Sequence, residues 1–144
     1  MTVFACRACG TPLTGALTEL SESEVDQAYA AVPADDPAQP LVPPGTFTTD
    51  DEPFGPPYVP LEPGSKMHGS AGPVGTIILH PEDIQGVRRH SDRSRLNGCC
   101  DLDGTDGPNL VCATCGAEVA TQQTDCWVGW TSVRLEPAAV RTNA

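Results

Sequence analysis

Leu110-Val111-Cys112-Ala113-Thr114-Cys115-Gly116 is a short apolar run that breaks into a Cys-x-x-Cys turn closed by glycine. The same grammar opens the chain, in Val3-Phe4-Ala5-Cys6-Arg7-Ala8-Cys9-Gly10. A Cys-x-x-Cys turn lets two sulfurs reach one ion from a single knuckle. The following glycine lets the backbone bend so that amide N–H groups face sulfur and spread its charge. Zinc takes four such ligands in a tetrahedron. Cys6, Cys9, Cys112 and Cys115 are therefore expected to hold one structural zinc ion. Roughly a hundred residues separate the knuckles, yet loop-closure cost grows only logarithmically with length, so a shared site is affordable in entropy. The ion would clasp the N-terminus to the last third of the chain. A thioredoxin-like dithiol would need a helix starting at the motif, and neither knuckle leads into one.

The segments around the knuckles read as strands. Thr76-Ile77-Ile78-Leu79 is β-branched, apolar and entered from glycine. Glu118-Val119-Ala120-Thr121 alternates, and Trp127 to Leu135 gives a second run after the last knuckle. Helix signals are few. Ser21 and Glu24 have capping-box spacing for a helix over Ser21–Ala31, and Pro81 fits the first turn of a short helix within His80–Gly86. The expected fold is mainly β, a small α+β domain over 1–144 with a zinc-ribbon-like core and little helix.

Between Pro33 and Pro63 stand ten prolines. Proline donates no backbone hydrogen bond, so 33–63 is read as an extended, Pro-rich, acidic arm or linker rather than a helix or central strand. Phe47, Phe54, Tyr58 and Leu61 argue that it docks on the folded body. The charge is concentrated in a wider stretch that includes this segment: of a net −11, ten acidic residues and no basic one lie between Arg7 and Lys66. Such a chain gains nothing from counterion release at a phosphate backbone, which argues against general nucleic-acid binding. The sole basic run carries Arg88, Arg89, Arg93 and Arg95, a candidate anion or partner patch that is equally suited to docking the acidic arm. No apolar run approaches the length of a membrane span, and the first residues lack a secretory pattern. A cytoplasmic protein with reduced thiols is the expectation.

Three cysteines remain. Cys99, Cys100 and Cys126 with His90 form a candidate second zinc site; alternatively they are small packing residues, or Cys126 and one of Cys99 and Cys100 join Cys112 and Cys115 in a rival site that leaves the N-terminal pair out. Asp101, Asp103 and Asp106 alternate around glycines as calcium ligands do, but the glutamate that closes a twelve-residue calcium loop is missing.

The segments Leu96-Asn97-Gly98-Cys99-Cys100-Asp101-Leu102-Asp103-Gly104 and Cys115-Gly116-Ala117-Glu118-Val119-Ala120-Thr121, with Asp125-Cys126-Trp127, resemble those of uncharacterised actinobacterial zinc-ribbon-like proteins. The resemblance implies a shared fold and no particular activity. The reading from the residues is a non-enzymatic zinc-stapled module that binds another protein. Its alternatives are an enzyme using Cys99, Cys100 or Cys126 with a histidine, and a nucleic-acid-binding ribbon using the Arg88–Arg95 patch.

Overall fold

The computed structural model describes residues 1–30 and 39–143, so residues 33–38 of the Pro-rich segment lie outside the described residues. The chain is mainly β, with one α-helix among the described residues. In order come β1 (Val3–Cys6), β2 (Thr18–Glu19), α1 (Glu22–Ala30), β3 (Gln39–Pro40), β4 (Thr46–Asp50), β5 (Tyr58–Pro60), β6 (His68–Ser70), β7 (Thr76–Leu79), β8 (Val87–Arg89), β9 (Leu110–Cys112), β10 (Glu118–Gln123), β11 (Trp130–Leu135) and β12 (Val140–Asn143). The main sheet runs β2-β4-β7-β11-β10-β9-β8, with β3 parallel to the start of β11. Two small sheets accompany it, β1 with β12 and β5 with β6.

Local chemistry explains the elements. Ser21 and Glu24 cap α1 reciprocally: the Ser21 amide donates to the Glu24 carboxylate at 2.9 Å, and the Glu24 amide to Ser21 Oγ at 3.3 Å. Pro81 begins a single turn, Pro81–Asp83, in which the Glu82 amide donates to His80 Nδ1 at 3.0 Å. β7 is buried at all four residues, as its unbroken apolar run requires at the middle of a sheet.

The Pro-rich segment differs from the expectation. Thr46–Asp50 contains no proline, and as β4 it pairs from Phe47 to Asp50 with β7, inside the main sheet. Prolines 40 and 60 sit in short peripheral strands, where a missing donor costs least. Phe47 is buried and meets Phe4 edge-on, with ring centroids 4.9 Å apart. The acidic end of β4 is tied down as well. Arg134 on β11 donates to Asp50 at 2.6 Å and to Thr76 Oγ1 at 3.2 Å, and its guanidinium lies 4.2 Å from the Phe54 ring centre. Tyr58 then donates to the Thr105 carbonyl at 3.0 Å.

An internal two-fold relation organises the core. β1 pairs with β12 so that Cys6 faces Val140 and Ala5 faces Arg141. β9 pairs with β8 in the matching register, with Cys112 facing Val87 and Val111 facing Arg88. At the centre, Leu79 faces Val133, Ile78 faces Arg134 and Ile77 faces Leu135. Exchanging Leu79 with Leu135 and Ile77 with Val133 leaves that set of pairs unchanged. Each central strand ends in Leu-x-Pro (Leu79-His80-Pro81 and Leu135-Glu136-Pro137), makes one helical turn, and leads to the strand that flanks the other half's knuckle. Leu13 and Val119, placed alike after the two knuckles, are both fully buried in one cluster with Leu79, Leu135, Cys6 and Cys112.

Leu79→Ala and Leu135→Ala are therefore expected to cost about equally, on the order of 3 kcal/mol each for a fully buried leucine. Ser21→Ala should cost about 1 kcal/mol. Urea denaturation distinguishes these: if either leucine variant costs no more than the cap variant, the shared core is wrong.

Candidate metal centre

Each knuckle is the end of a strand that cannot continue. The Cys6 amide donates to the Thr11 carbonyl and the Gly10 amide to the Cys6 carbonyl, at 2.8 and 2.7 Å. In the second knuckle the Cys112 amide donates to the Ala117 carbonyl and the Gly116 amide to the Cys112 carbonyl, both at 2.8 Å. Gly10 and Gly116 close these turns at φ of +81° and +80°, a conformation that side chains disfavour. The residue after the first cysteine is held too: the Arg7 amide donates to the Ala139 carbonyl at 2.9 Å, and the Ala113 amide to the Gly86 carbonyl at 2.8 Å. The two knuckles are copies built by the two halves.

Their sulfurs meet. Cys6 lies 3.6 Å from Cys115, and Cys9 lies 3.6 Å from Cys112. All four sulfurs fall within 4.8 Å of one another, and the group could hold a metal ion. A tetrahedral ion with metal–sulfur bonds of about 2.3 Å sets its sulfurs about 3.8 Å apart, so the cluster has the right size. Cys6 and Cys112 are fully buried; Cys9 and Cys115 face outward. Thr11 Oγ1 sits 3.1 Å from the Cys9 sulfur and donates across the site to Thr114 Oγ1 at 2.9 Å.

The four sulfurs perturb one another's protonation. Burial pushes the Cys112 thiol up, but the amides of Cys115 and Thr114, helped by the Cys9 and Cys115 sulfurs, bring it down to about 6. On Cys115 the Ala117 amide lowers the thiol, yet burial and the Cys6, Cys9 and Cys112 sulfurs push it up to about 11. The Thr11 hydroxyl and amide hold Cys9 below the ordinary thiol value. Crowded sulfurs thus share protons that a divalent cation would replace.

Cys99, Cys100 and Cys126 form a second group, three exposed sulfurs within 4.8 Å of one another. Cys100 and Cys126 are joined in a disulfide, where the sequence suggested reduced thiols. His90 does not join this group. Its Nδ1 accepts from the Asp92 amide at 3.0 Å and its Nε2 lies 3.2 Å from the Glu118 carboxylate, so both ring nitrogens are engaged elsewhere.

Among the described residues, the arginine run makes its ion pairs with partners other than the acidic arm. Arg89 pairs with Asp101 at 3.0 Å and Arg95 with Glu118 at 3.3 Å, while the arm's Asp50 is met by Arg134. Arg88 leans instead over the second knuckle: a methyl group added at Gly116 would lie 3.5 Å from its guanidinium. Arg141 occupies the matching position, 2.9 Å from a methyl group added at Gly10. The alternating aspartates of the Gly-rich loop serve as turn caps: Asp103 accepts from the Thr105 amide and hydroxyl, and Asp106 from Asn97. Asn109 is a structural residue that the sequence reading passed over. Fully buried, it donates to the Gln122 carbonyl at 3.0 Å and accepts the Gln122 amide at 2.7 Å, extending β10's pairing with its amide side chain.

No family model matches the sequence, and neither a curated protein nor a solved structure matches it.

Glu136, at the head of the second Leu-x-Pro turn, is half-buried near Glu118. Burial first, and the Glu118 charge second, raise its carboxyl above the ordinary glutamate value. A carboxyl whose folded value is raised takes up its proton more readily in the fold, so the ionised form weighs against folding at neutral pH and the penalty fades as pH falls through the raised value. Glu136→Gln should therefore raise the melting temperature at neutral pH and lose that advantage in acid. An advantage that persists unchanged at pH below the ordinary glutamate range would refute the assignment.

Proposed function

We propose that this chain is a zinc protein whose Cys6–Cys9–Cys112–Cys115 site is structural, and that it works as a non-enzymatic module binding another protein. The observation that carries the zinc reading is the complete set of four sulfurs within 4.8 Å of one another, a size that suits a tetrahedral ion. Such an S4 set suits zinc or iron, and zinc alone among these brings no redox chemistry to a site designed for closure. With cysteine at all four positions there is no open coordination site for water or substrate, which separates a structural zinc from a catalytic one. The ion would supply folding energy where it is needed, between two strand pairs that share one apolar cluster. A cytoplasmic setting suits the reading, since reduction keeps the four thiols free. No described helix is long and apolar enough to cross a membrane.

The protein-binding half of the reading rests on the β5–β6 hairpin. Val59, Leu61 and Met67 are exposed there by 42%, 60% and 69%, an apolar group on a small two-stranded unit outside the main sheet. The acidic body beside it would favour a partner with basic groups around an apolar centre.

Native mass spectrometry of the intact protein is expected to find one tightly held zinc that a strong chelator removes, with loss of cooperative unfolding. Cys112→Ser should abolish retention at this site and lower stability sharply. Unchanged zinc retention in that variant would remove the four-sulfur assignment. For the interaction surface, Leu61→Asp with Met67→Asp should leave circular dichroism and zinc content unchanged and weaken partner capture at least tenfold. Capture at wild-type strength by the doubly substituted protein would exclude the hairpin.

A further inference from the structure

The Cys99–Cys100–Cys126 group is built differently from the four-sulfur centre. Gly98 opens it with a positive φ, and a side chain there would collide with the Asp101 carbonyl. The turn that follows aims three successive amides at one oxygen. Asp125 Oδ1 accepts from Cys100 at 2.7 Å, Cys99 at 3.1 Å and Asp101 at 3.2 Å, and the Cys126 sulfur lies 3.7 Å from the same atom. Asp125 is buried, and these amides, with the Cys100 amide foremost, hold its carboxyl below the ordinary aspartate value. On the other side, the Thr124 and Asp125 amides both donate to the Leu102 carbonyl, at 2.9 and 3.0 Å. Both backbone segments are thus fixed by hydrogen bonds that do not involve the Cys100–Cys126 bond. If that bond is reduced, the three sulfurs stay together.

We propose that reduction of the Cys100–Cys126 disulfide turns Cys99, Cys100 and Cys126 into a second, redox-gated site that binds one thiophilic divalent cation through three thiolates. A dithiol reductant gives two electrons and two protons to the S–S bond, becoming a disulfide itself, and leaves two thiols beside Cys99. The incoming cation then displaces three protons from three thiols to solvent. A divalent charge leaves the trio with one net negative charge, next to the Arg89–Asp101 pair.

The site offers three protein donors and no fourth among the described residues. Asp125 Oδ1 is occupied by three amides. Asp101 is held by Arg89, the Leu102 amide and the Thr124 hydroxyl. His90 is engaged with Asp92 and Glu118. All three cysteines face solvent, so the fourth position is open to water or to a donor from outside. This distinguishes the site from the closed four-sulfur centre and makes its occupancy responsive to the thiol poise around the protein.

Cadmium is the probe. The full-length protein, oxidised or reduced with a phosphine under argon, is loaded with cadmium, desalted and counted by native mass spectrometry. Reduced wild type should retain one more cadmium than oxidised wild type, and reduced Cys126→Ser and Cys99→Ser should not retain that additional ion. Cys99→Ser leaves the bridge residues intact and lies on the surface, so it keeps the test sound if Cys126→Ser folds poorly. No gain on reduction of wild type overturns the proposal, as does a gain that persists in Cys99→Ser. The oxidised sample reads the four-sulfur centre by itself: no metal there would sink the structural-zinc assignment and leave the difference between the two samples interpretable.

Discussion

Four cysteine sulfurs within 4.8 Å of one another, delivered from opposite ends of the chain, are a demanding arrangement. Ionised together they repel; protonated together they crowd. The backbone imposes their positions regardless, because each knuckle ends a strand whose partner comes from the other half. β1 is paired along its length with β12, and β9 with β8, so the two Cys-x-x-Cys turns are brought face to face by sheet hydrogen bonding. A metal ion held there would relieve the charge problem this creates. Fold and ion would thereby be coupled: strand pairing collects the four sulfurs, and a bound ion would bridge the two pairs.

The two-fold relation gives this coupling its form. One half's central strand, single turn and final strand recur in the other, and the final strands are exchanged so that each braces the opposite knuckle. The ion would then lie at the junction of two similar units, each contributing one buried and one exposed cysteine. The N-terminal residues are held independently of any ion. β12 pairing, the Phe4–Phe47 contact and the burial of Leu13 and Leu17 all retain them. Loss of the ion should loosen both knuckles together rather than release one end.

What breaks the symmetry is functional raw material. The first half carries the long acidic insertion, including α1, β4 and the exposed hairpin; the connection between the halves carries the turn-rich loop with Cys99 and Cys100. The insertion is stitched to the core by Arg134, which occupies the position opposite Ile78 in the central pair. A partly buried arginine beside an apolar counterpart is accommodated by Asp50, Thr76 and Phe54, three groups that only the insertion and its neighbouring strand supply.

The sequence by itself determined the short-range features, because their causes lie within a few residues. The knuckles follow from Cys-x-x-Cys-Gly, the capped helix from Ser21 and Glu24, and the buried strand from Thr76–Leu79. Much of the candidate centre was legible for the same reason, since two knuckles of one type have few other ways to satisfy four thiolates. Only the tertiary structure decided the long-range pairings. Nothing local says that Thr46–Asp50 enters the main sheet despite flanking prolines, because its pairing depends on β7 thirty residues away. Leu-x-Pro after each central strand was a visible signal of the repeat, but two short matches separated by a long insertion carry meaning only once their registers coincide. His90 shows the limit from the other side: it is close in sequence to Cys99 and Cys100, yet its ring is held by the Asp92 amide and by Glu118, which the sheet brings near from β10.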